Sequence, residues 1–245
     1  MTKPSRIADK NILITGGGSG MGKATAITRA QNGANVAITG RDIQKLESTV
    51  NVSKNIISWK QADVCERTTL DSLFEWFDQE IGKLDILIHA AGFNLAKRSM
   101  KDLDEAGWDR LIETNLTGSY NSVRRALERM RPRKKGLIIL INSVAGRRSV
   151  PLAGIGYNAS KFGMSGLGMG IAEEERENGI RITNLYPGEV NTPILEKRIT
   201  PPSEEHKKRI LQADDIAKVI LQICELPDRV HIPELVIKPT GQPFV

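Results

Sequence analysis

Tyr157-Asn158-Ala159-Ser160-Lys161 sets a phenol and an amine four residues apart. If the segment is helical, both lie on one face. Taken alone, a surface tyrosine beside a solvated lysine satisfies that spacing. Ser143 changes the balance, because it ends the apolar run Leu137–Ile141, and the carboxyl ends of strands are where open sheets bind ligands. Asn115 adds a polar amide on the inner face of a helical run through Trp108, Leu111, Ile112 and Leu116. A buried amide without hydrogen-bond partners is costly. Hydroxyl, phenol, amine and amide thus converge on one ligand-binding edge.

A second group could hold phosphate. Thr15-Gly16-Gly17-Gly18-Ser19-Gly20-Met21-Gly22 follows an apolar run and opens a helical one. Glycines permit a sharp turn and let a pyrophosphate approach unpaired N–H groups at a helix N-terminus. Dinucleotide binding is one reading. The other is a nucleoside-triphosphatase loop, since Gly17-x-x-x-x-Gly22-Lys23 fits that template through the lysine. That motif continues with Ser or Thr to hold Mg²⁺, and the chain has Ala24.

The elements that must position these groups alternate. Strand-like runs occur at Asn11–Thr15, Asn35–Thr39, Ile56–Gln61, Leu84–His89, Leu137–Asn142, Ile180–Leu185 and Glu234–Lys238. Consecutive apolar positions at 86–88 and 137–141 predict strands covered on both faces, as in a parallel sheet. Between them Leu70, Leu73, Phe74, Phe77 and Ile81 mark one helical face. Asp215 before Ile216, Val219, Ile220 and Ile223 reads as a capped amphipathic helix. The expected fold is α/β: a doubly wound parallel sheet of about seven strands with helices on both faces, one domain over residues 1–245. Pro193 to Leu211 breaks the rhythm, so it is expected to be a functional loop containing a short helix.

Composition narrows the class. The chain is 40% hydrophobic and 26% charged with 22 glycines, ordinary for a globular protein. No apolar run approaches ~18 residues, so no membrane-spanning helix is expected. Met1 to Lys10 is too polar for a signal peptide. Cys65 and Cys224 form no CxxC and have no nearby histidine, so no metal site is expected, and a reducing, cytoplasmic setting is the simplest reading. The net charge of +6 is mild, although Arg124, Arg125, Arg129, Arg131, Arg133, Lys134 and Lys135 bunch together. A solvated helix end explains them. With 4% aromatics there is no stacking platform, and no nucleic-acid partner is expected.

In order and spacing these motifs resemble the short-chain dehydrogenase/reductase family. The match runs from about residue 9 to residue 192. It comprises Thr15-Gly16-x-x-x-Gly20-x-Gly22, Asp63-Val64, His89-Ala90-Ala91-Gly92, Asn115-x-x-Gly118, Ser143, Tyr157-x-x-x-Lys161 and Tyr186-Pro187-Gly188-Glu189-Val190-Asn191-Thr192. The family usually has Asn at position 89, and a hydrogen-bonded core histidine is expected there. The ending Pro233-Glu234-Leu235-Val236-Ile237-Lys238-Pro239-Thr240 lacks the acidic and diglycine pattern common among 3-oxoacyl reductases. It is similar to a branch acting on small hydroxy acids, alcohols or varied carbonyls.

The resemblance implies reversible hydride transfer between a nicotinamide and a carbonyl or secondary alcohol. Tyr157 would be the acid/base, Ser143 would bond the reacting oxygen, Lys161 would hold the nicotinamide ribose and lower the Tyr157 pKa, and Asn115 would hold a water chain. Free tyrosine titrates near ~10. A cation about 4 Å away at an effective dielectric of ~20 contributes ~4 kcal/mol, about three pKa units, so Lys161 alone should suffice. The implied cofactor contacts are Gly16, Gly18, Ser19, Gly20, Met21, Gly22, Arg41, Asp63, Val64, Ala90, Ala91, Gly92, Tyr157, Lys161, Pro187, Gly188, Val190 and Thr192. The alternatives are a cofactor-binding regulator of weak activity and a 3-oxoacyl reductase.

The family's discriminating acid, counted from Gly33-Ala34-Asn35-Val36, falls on Gly40, which cannot repel a 2′-phosphate, and Arg41 follows. NADP(H) is therefore expected over NAD(H), with Asp42 capping the next helix. Val144–Arg148, Leu152–Ile155, Glu189 and Pro193–Leu211 should wall the pocket for a small carbonyl or alcohol. Arg147 and Arg148 read as surface residues. The glycines at 163, 166, 168 and 170 suggest close backbone approach, and a homodimer or homotetramer is expected.

Overall fold

A computed structural model of the chain describes residues 7–54 and 56–243. Most of the polar stretch Met1–Lys10 lies outside them. In chain order the elements are β1 (Asn11–Thr15), α1 (Gly20–Gln31), β2 (Asn35–Gly40), α2 (Ile43–Val52), β3 (Ile57–Gln61), α3 (Arg67–Glu80), β4 (Ile86–His89), α4 (Glu105–Ile112), α5 (Gly118–Met130), β5 (Gly136–Ile141), α6 (Ile155–Glu174), β6 (Ile180–Pro187), β7 (Val190–Asn191), α7 (Glu204–Arg209), β8 (Leu211–Gln212), α8 (Ala213–Glu225) and β9 (Glu234–Ile237). Seven strands form one parallel sheet in the order β3-β2-β1-β4-β5-β6-β9. The expected strands are all present, with ends shifted by at most two residues.

Strand pleating divides the core in two. Ile12, Ile14, Ile86, Ile88, Leu137, Ile139 and Ile141 face one layer with α1 and α8. Leu13, Leu87, Ile138 and Leu140 face the other with Leu70, Leu73, Phe74 and Phe77 of α3 and Val123 and Leu127 of α5. That two-sided burial explains why β4 from Ile86 to Ile88 and β5 from Leu137 to Ile141 are apolar at consecutive positions rather than alternating.

Two local expectations need correction, and one feature is new. The N-cap of α8 is Gln212, not Asp215. Asp215 is the third helical residue and accepts from the Gln212 N–H at 2.9 Å, completing a reciprocal capping box. Asn115 lies not in a regular α-helix but in a π-turn, Glu113–Thr117, that joins α4 to α5, and Trp108 remains 39% exposed. The wider turn rotates Asn115 inward. The new feature is that β7 and β8 pair as a two-stranded parallel ribbon at the base of the Pro193–Leu211 segment, which holds a 3₁₀ turn (Pro193–Lys197) as well as α7.

Six of the seven bunched cations pair with carboxylates of the same fold. Arg125 pairs with Asp71 at 2.7 Å, Arg129 with Asp78 at 2.7 Å, Arg133 with Asp85 at 3.4 Å and Lys135 with Asp228 at 2.5 Å, while Arg124 and Arg131 pair with Glu128 and Glu175. No described helix is long and apolar enough to cross a membrane.

Candidate active site

The predicted site residues gather at the carboxyl ends of β1, β2, β4, β5 and β6. Strand order reverses between β1 and β4, so helices leave opposite faces there and open a crevice. Two cavities line that edge. One, of about 210 Å³, is walled by Gly16, Gly18, Ser19, Thr39, Gly40, Arg41, Asp42, Lys45, Asp63, Val64, Ala91 and Gly92, among others. The second, of about 320 Å³, holds Met21, Asn142, Ser143, Tyr157, Pro187, Gly188, Glu189, Val190 and Thr192.

The glycine turn is shaped for close backbone approach. Gly16 has φ +67°, and a Cβ there would sit 2.8 Å from the Ala90 carbonyl carbon. Gly22 packs directly on the Gly16 carbonyl, so its role is to close the turn rather than to line a cavity. Ser19 makes no side-chain cap on α1, and the first turn of α1 has no acid. The leading N–H groups of α1 are thus left for a ligand, and the helix dipole favours an anionic one. A dinucleotide pyrophosphate fits this cradle.

Beside it, Asp42 caps α2 by accepting from Lys45 N at 3.2 Å, as expected. Arg41 is not free: its guanidinium lies 3.8 Å from Asp63. At 3.8 Å, with Arg41 exposed and Asp63 half-buried, the contact is long and the pair weak. Lys45, which the sequence reading did not single out, lines this cavity with Arg41 and Lys197 and is held 3.0 Å from Asp42. Its signal was present as the Asp42-x-x-Lys45 spacing in the first turn of α2.

Ser143 lies two residues past the end of β5, accepts from Ala145 N at 3.1 Å and lines the same cavity as the Tyr157 phenol. Tyr157 and Lys161 lie on one face of α6, with the Lys161 Nζ 5.7 Å from the Tyr157 ring centre. Lys161 is 3% exposed. Its Nζ donates to the Ile141 carbonyl at 3.1 Å and contacts Met164 Sδ at 3.5 Å. Asn115 Oδ1 accepts from Phe93 N at 2.9 Å, and its Nδ2 donates to Phe93 O at 3.0 Å and Ser160 Oγ at 3.1 Å. Its side chain therefore fastens the π-turn to the loop after β4 and to α6.

Burial opposes the expected depression of the Tyr157 pKa by Lys161. Burial pushes the phenol up to about 12, with the Ser143 hydrogen bond opposing it. Burial also pulls Lys161 down to about 7. A desolvated amine sheds its proton, so at neutral pH it carries only part of the charge the argument assigned to it.

His89 is fully buried, its Nδ1 lies 3.0 Å from Thr15 Oγ1, and burial first and the Lys161 charge second pull its pKa down to about 3. It is a neutral core residue. Arg147 turns away from the cavity to pair with Glu234 at 2.9 Å. Asn94, Arg98, Arg198 and Gln242 line the larger cavity, and of these only Arg198 falls in an expected wall segment. The stretch before α4 that carries Asn94 and Arg98 has no hydrophobic period to mark its place.

Residues 10–202 match the short chain dehydrogenase family. This chain belongs to that family. Short-chain dehydrogenases are oxidoreductases, and the relatives carry that description. An uncharacterized oxidoreductase of Listeria monocytogenes is 30% identical over 248 residues, covering 97% of this chain and 99% of its own. Among solved structures, a 3-ketoacyl-(acyl-carrier-protein) reductase from Brucella melitensis complexed with NADH is 24% identical, with TM-score 0.88 and coverage of 96% and 98%. ElxO with NADP bound is 28% identical, with TM-score 0.84 and coverage of 94% and 96%. Both share the doubly wound sheet of this short-chain dehydrogenase.

Proposed function

We propose that the chain is an NADP(H)-dependent oxidoreductase that interconverts a small carbonyl compound and its secondary alcohol. The observation that carries this reading is that Ser143 and Tyr157 share the wall of the 320 Å³ cavity, with Lys161 one helical turn behind the phenol and the phosphate-fitting glycine turn alongside. The bound nicotinamide would supply or accept the hydride. Gly16, Gly18, Ser19, Gly20 and Met21 would hold its pyrophosphate, Asp63, Val64 and Ala90–Gly92 its adenosine half, and Pro187, Gly188, Val190 and Thr192 its nicotinamide half.

Ser143 orients the substrate oxygen. Tyr157, with its pKa near 12, holds a proton at neutral pH and donates it as that oxygen gains charge. Lys161 stands behind it at the end of β5 and replenishes charge and proton. Asn115 holds the π-turn that carries this wall. The apo Tyr157 suits the acid role in reduction, and a second positive charge from an oxidised nicotinamide would favour the reverse role.

The preference for NADP(H) rests on Gly40, Arg41 and Lys45. No carboxylate stands at position 40, Asp42 is engaged in capping, and Arg41, Lys45 and Lys197 line the cavity. We further propose a single catalytic unit that assembles as a homodimer or homotetramer, and a cytoplasmic, reducing setting that suits the free thiols of Cys65 and Cys224. Absorbance at 340 nm with NADPH and a panel of ketones and aldehydes tests the reading. Cofactor binding without turnover on any of them would leave a regulator.

A further inference from the structure

The substrate cavity is electrically lopsided. Three ionised side chains line it: Arg98, Arg198 and Glu189. Arg198 donates to Glu189 Oε1 at 2.6 Å, with both side chains less than a fifth exposed. The other Glu189 oxygen lies 2.7 Å from His206 Nε2. Glu189 is thus saturated, and its pull on Arg198 is already used. Arg98 has no carboxylate partner among the described residues. Its Nε donates to Ala96 O at 3.3 Å and its Nη1 to Leu152 O at 3.2 Å. Both acceptors are neutral carbonyls, so the positive charge is uncompensated, and Nη2 remains available.

Arg98 is also fixed relative to the reacting groups. Its carbonyl accepts from Ile155 N at 3.1 Å, the first residue of α6, two before Tyr157. Its Cβ passes over Gly154, where a Cβ would approach to 2.5 Å and where φ is +80°. Only glycine gives that backbone and that space together. The segment carrying Arg98 is therefore bolted to the helix that presents Tyr157. Burial and the nearby Arg198 charge both make the lone Arg98 cation costly, pulling its pKa down. A bound anion relieves both.

We propose that the substrate is a small monoanionic oxo or hydroxy carboxylate, with its carboxylate on Arg98 and its carbonyl or alcohol oxygen on Ser143 and Tyr157. The inference rests on the oxidoreductase reading and names its substrate class. Two cations and one anion leave the lining with one surplus positive charge, which suits a monoanion better than a phosphate dianion. A guanidinium offers parallel N–H donors matched to a carboxylate, and about 320 Å³ suits a small molecule. The reaction balances as oxo acid anion plus NADPH plus a proton giving hydroxy acid anion plus NADP⁺. The hydride goes to the carbonyl carbon, the proton goes from Tyr157 to its oxygen, and the carboxylate is unchanged.

Two near-isosteric probe pairs test this: acetoacetate against acetoacetamide, and 2-oxobutanoate against 2-oxobutanamide. Each is measured for calorimetric binding to the NADP⁺-loaded protein and for NADPH oxidation, in wild type, Arg98→Gln and Arg98→Lys. At least one acid should bind ten-fold or more tighter than its amide and be turned over with the same preference. Arg98→Gln should bring acid and amide within about two-fold while leaving amide affinity and NADP⁺ affinity unchanged, and Arg98→Lys should restore part of the preference. Equal affinity of acid and amide in both pairs, or an acid preference that survives Arg98→Gln, overturns the proposal. Reduction of the amides but not the acids overturns it while upholding hydride transfer. Arg98-dependent acid binding with no NADPH oxidation upholds the anion site and overturns the oxidoreductase reading. If Arg98→Gln is unfolded by circular dichroism, Arg98→Lys and the wild-type acid-to-amide ratio decide the matter.

Discussion

Thr15 Oγ1 and His89 Nδ1 lie 3.0 Å apart at the adjoining ends of β1 and β4. Thr15 Oγ1 also accepts from Ala90 N and Ala91 N, both at 3.2 Å. Nε2 of His89 is buried with no hydrogen-bond partner among the described residues.

That arrangement sets an acid sensitivity. The folded His89 pKa, about 3, lies below the ordinary 6.5, so the unfolded chain binds the extra proton between those values. Stability from this group is therefore full above about 6.5 and is lost as pH falls toward 3. Urea titrations of wild type should lose stability more steeply than those of His89→Asn between pH 6 and 4, by about 1.4 kcal/mol per pH unit. Parallel slopes would show that His89 is charged in the fold.

Tyr157→Phe should fold, bind cofactor and lose at least ~10³-fold in turnover, because it removes the proton donor of the substrate cavity. Retention of more than a tenth of wild-type turnover rules out the assignment. Lys161→Ala should lower both turnover and cofactor affinity. It should also remove a pH dependence near 7, the value to which burial pulls Lys161.

NADPH should bind at least ten-fold tighter than NADH in a fluorescence titration. One charge-assisted contact contributes ~1.5–3 kcal/mol. Arg41→Ala should lose most of the preference, since the weak Asp63 pair is easily opened, and Lys45→Ala should lose part of it. Tighter binding of NADH by wild type would mean that Asp42 leaves its cap to meet the ribose.

The glycines of α6 fall into two kinds. A Cβ at Gly163 would lie 2.7 Å from Leu116, and Gly168 packs on Asn184, whereas nothing lies within 4 Å of Gly166 or Gly170. The open pair shares the helix with Phe162 and Met169, which are 46% and 44% exposed. A second subunit on this face would explain both features. Light scattering at micromolar concentration should give a dimer or tetramer, and Gly166→Glu should give a folded species of lower mass. A monomeric wild type refutes the assembly.

The Pro193–Leu211 segment is pinned at Glu189 by Arg198 and His206, and Leu195 and Arg198 line the substrate cavity. Its backbone should gain hydrogen-exchange protection when NADP⁺ and substrate bind. Identical exchange with and without ligand would remove its part in closure.

Much of this was legible in the residues themselves. The two-sided apolar strands, the glycine turn and the Tyr157–Lys161 spacing are local patterns, and local patterns dictate element type and facing. Where the elements met was also readable, because a parallel sheet places every strand's carboxyl end at one edge. What tertiary structure alone decided depends on distance through space. Arg98 comes from an aperiodic stretch and reaches the cavity only because Gly154 lets it cross α6. Lys45 joins Arg41 only once α2 folds back over Gly18. The pKa of Tyr157 turned on burial rather than on sequence spacing: four residues bring the amine near, but the same packing that brings it near strips the solvent that would keep it charged.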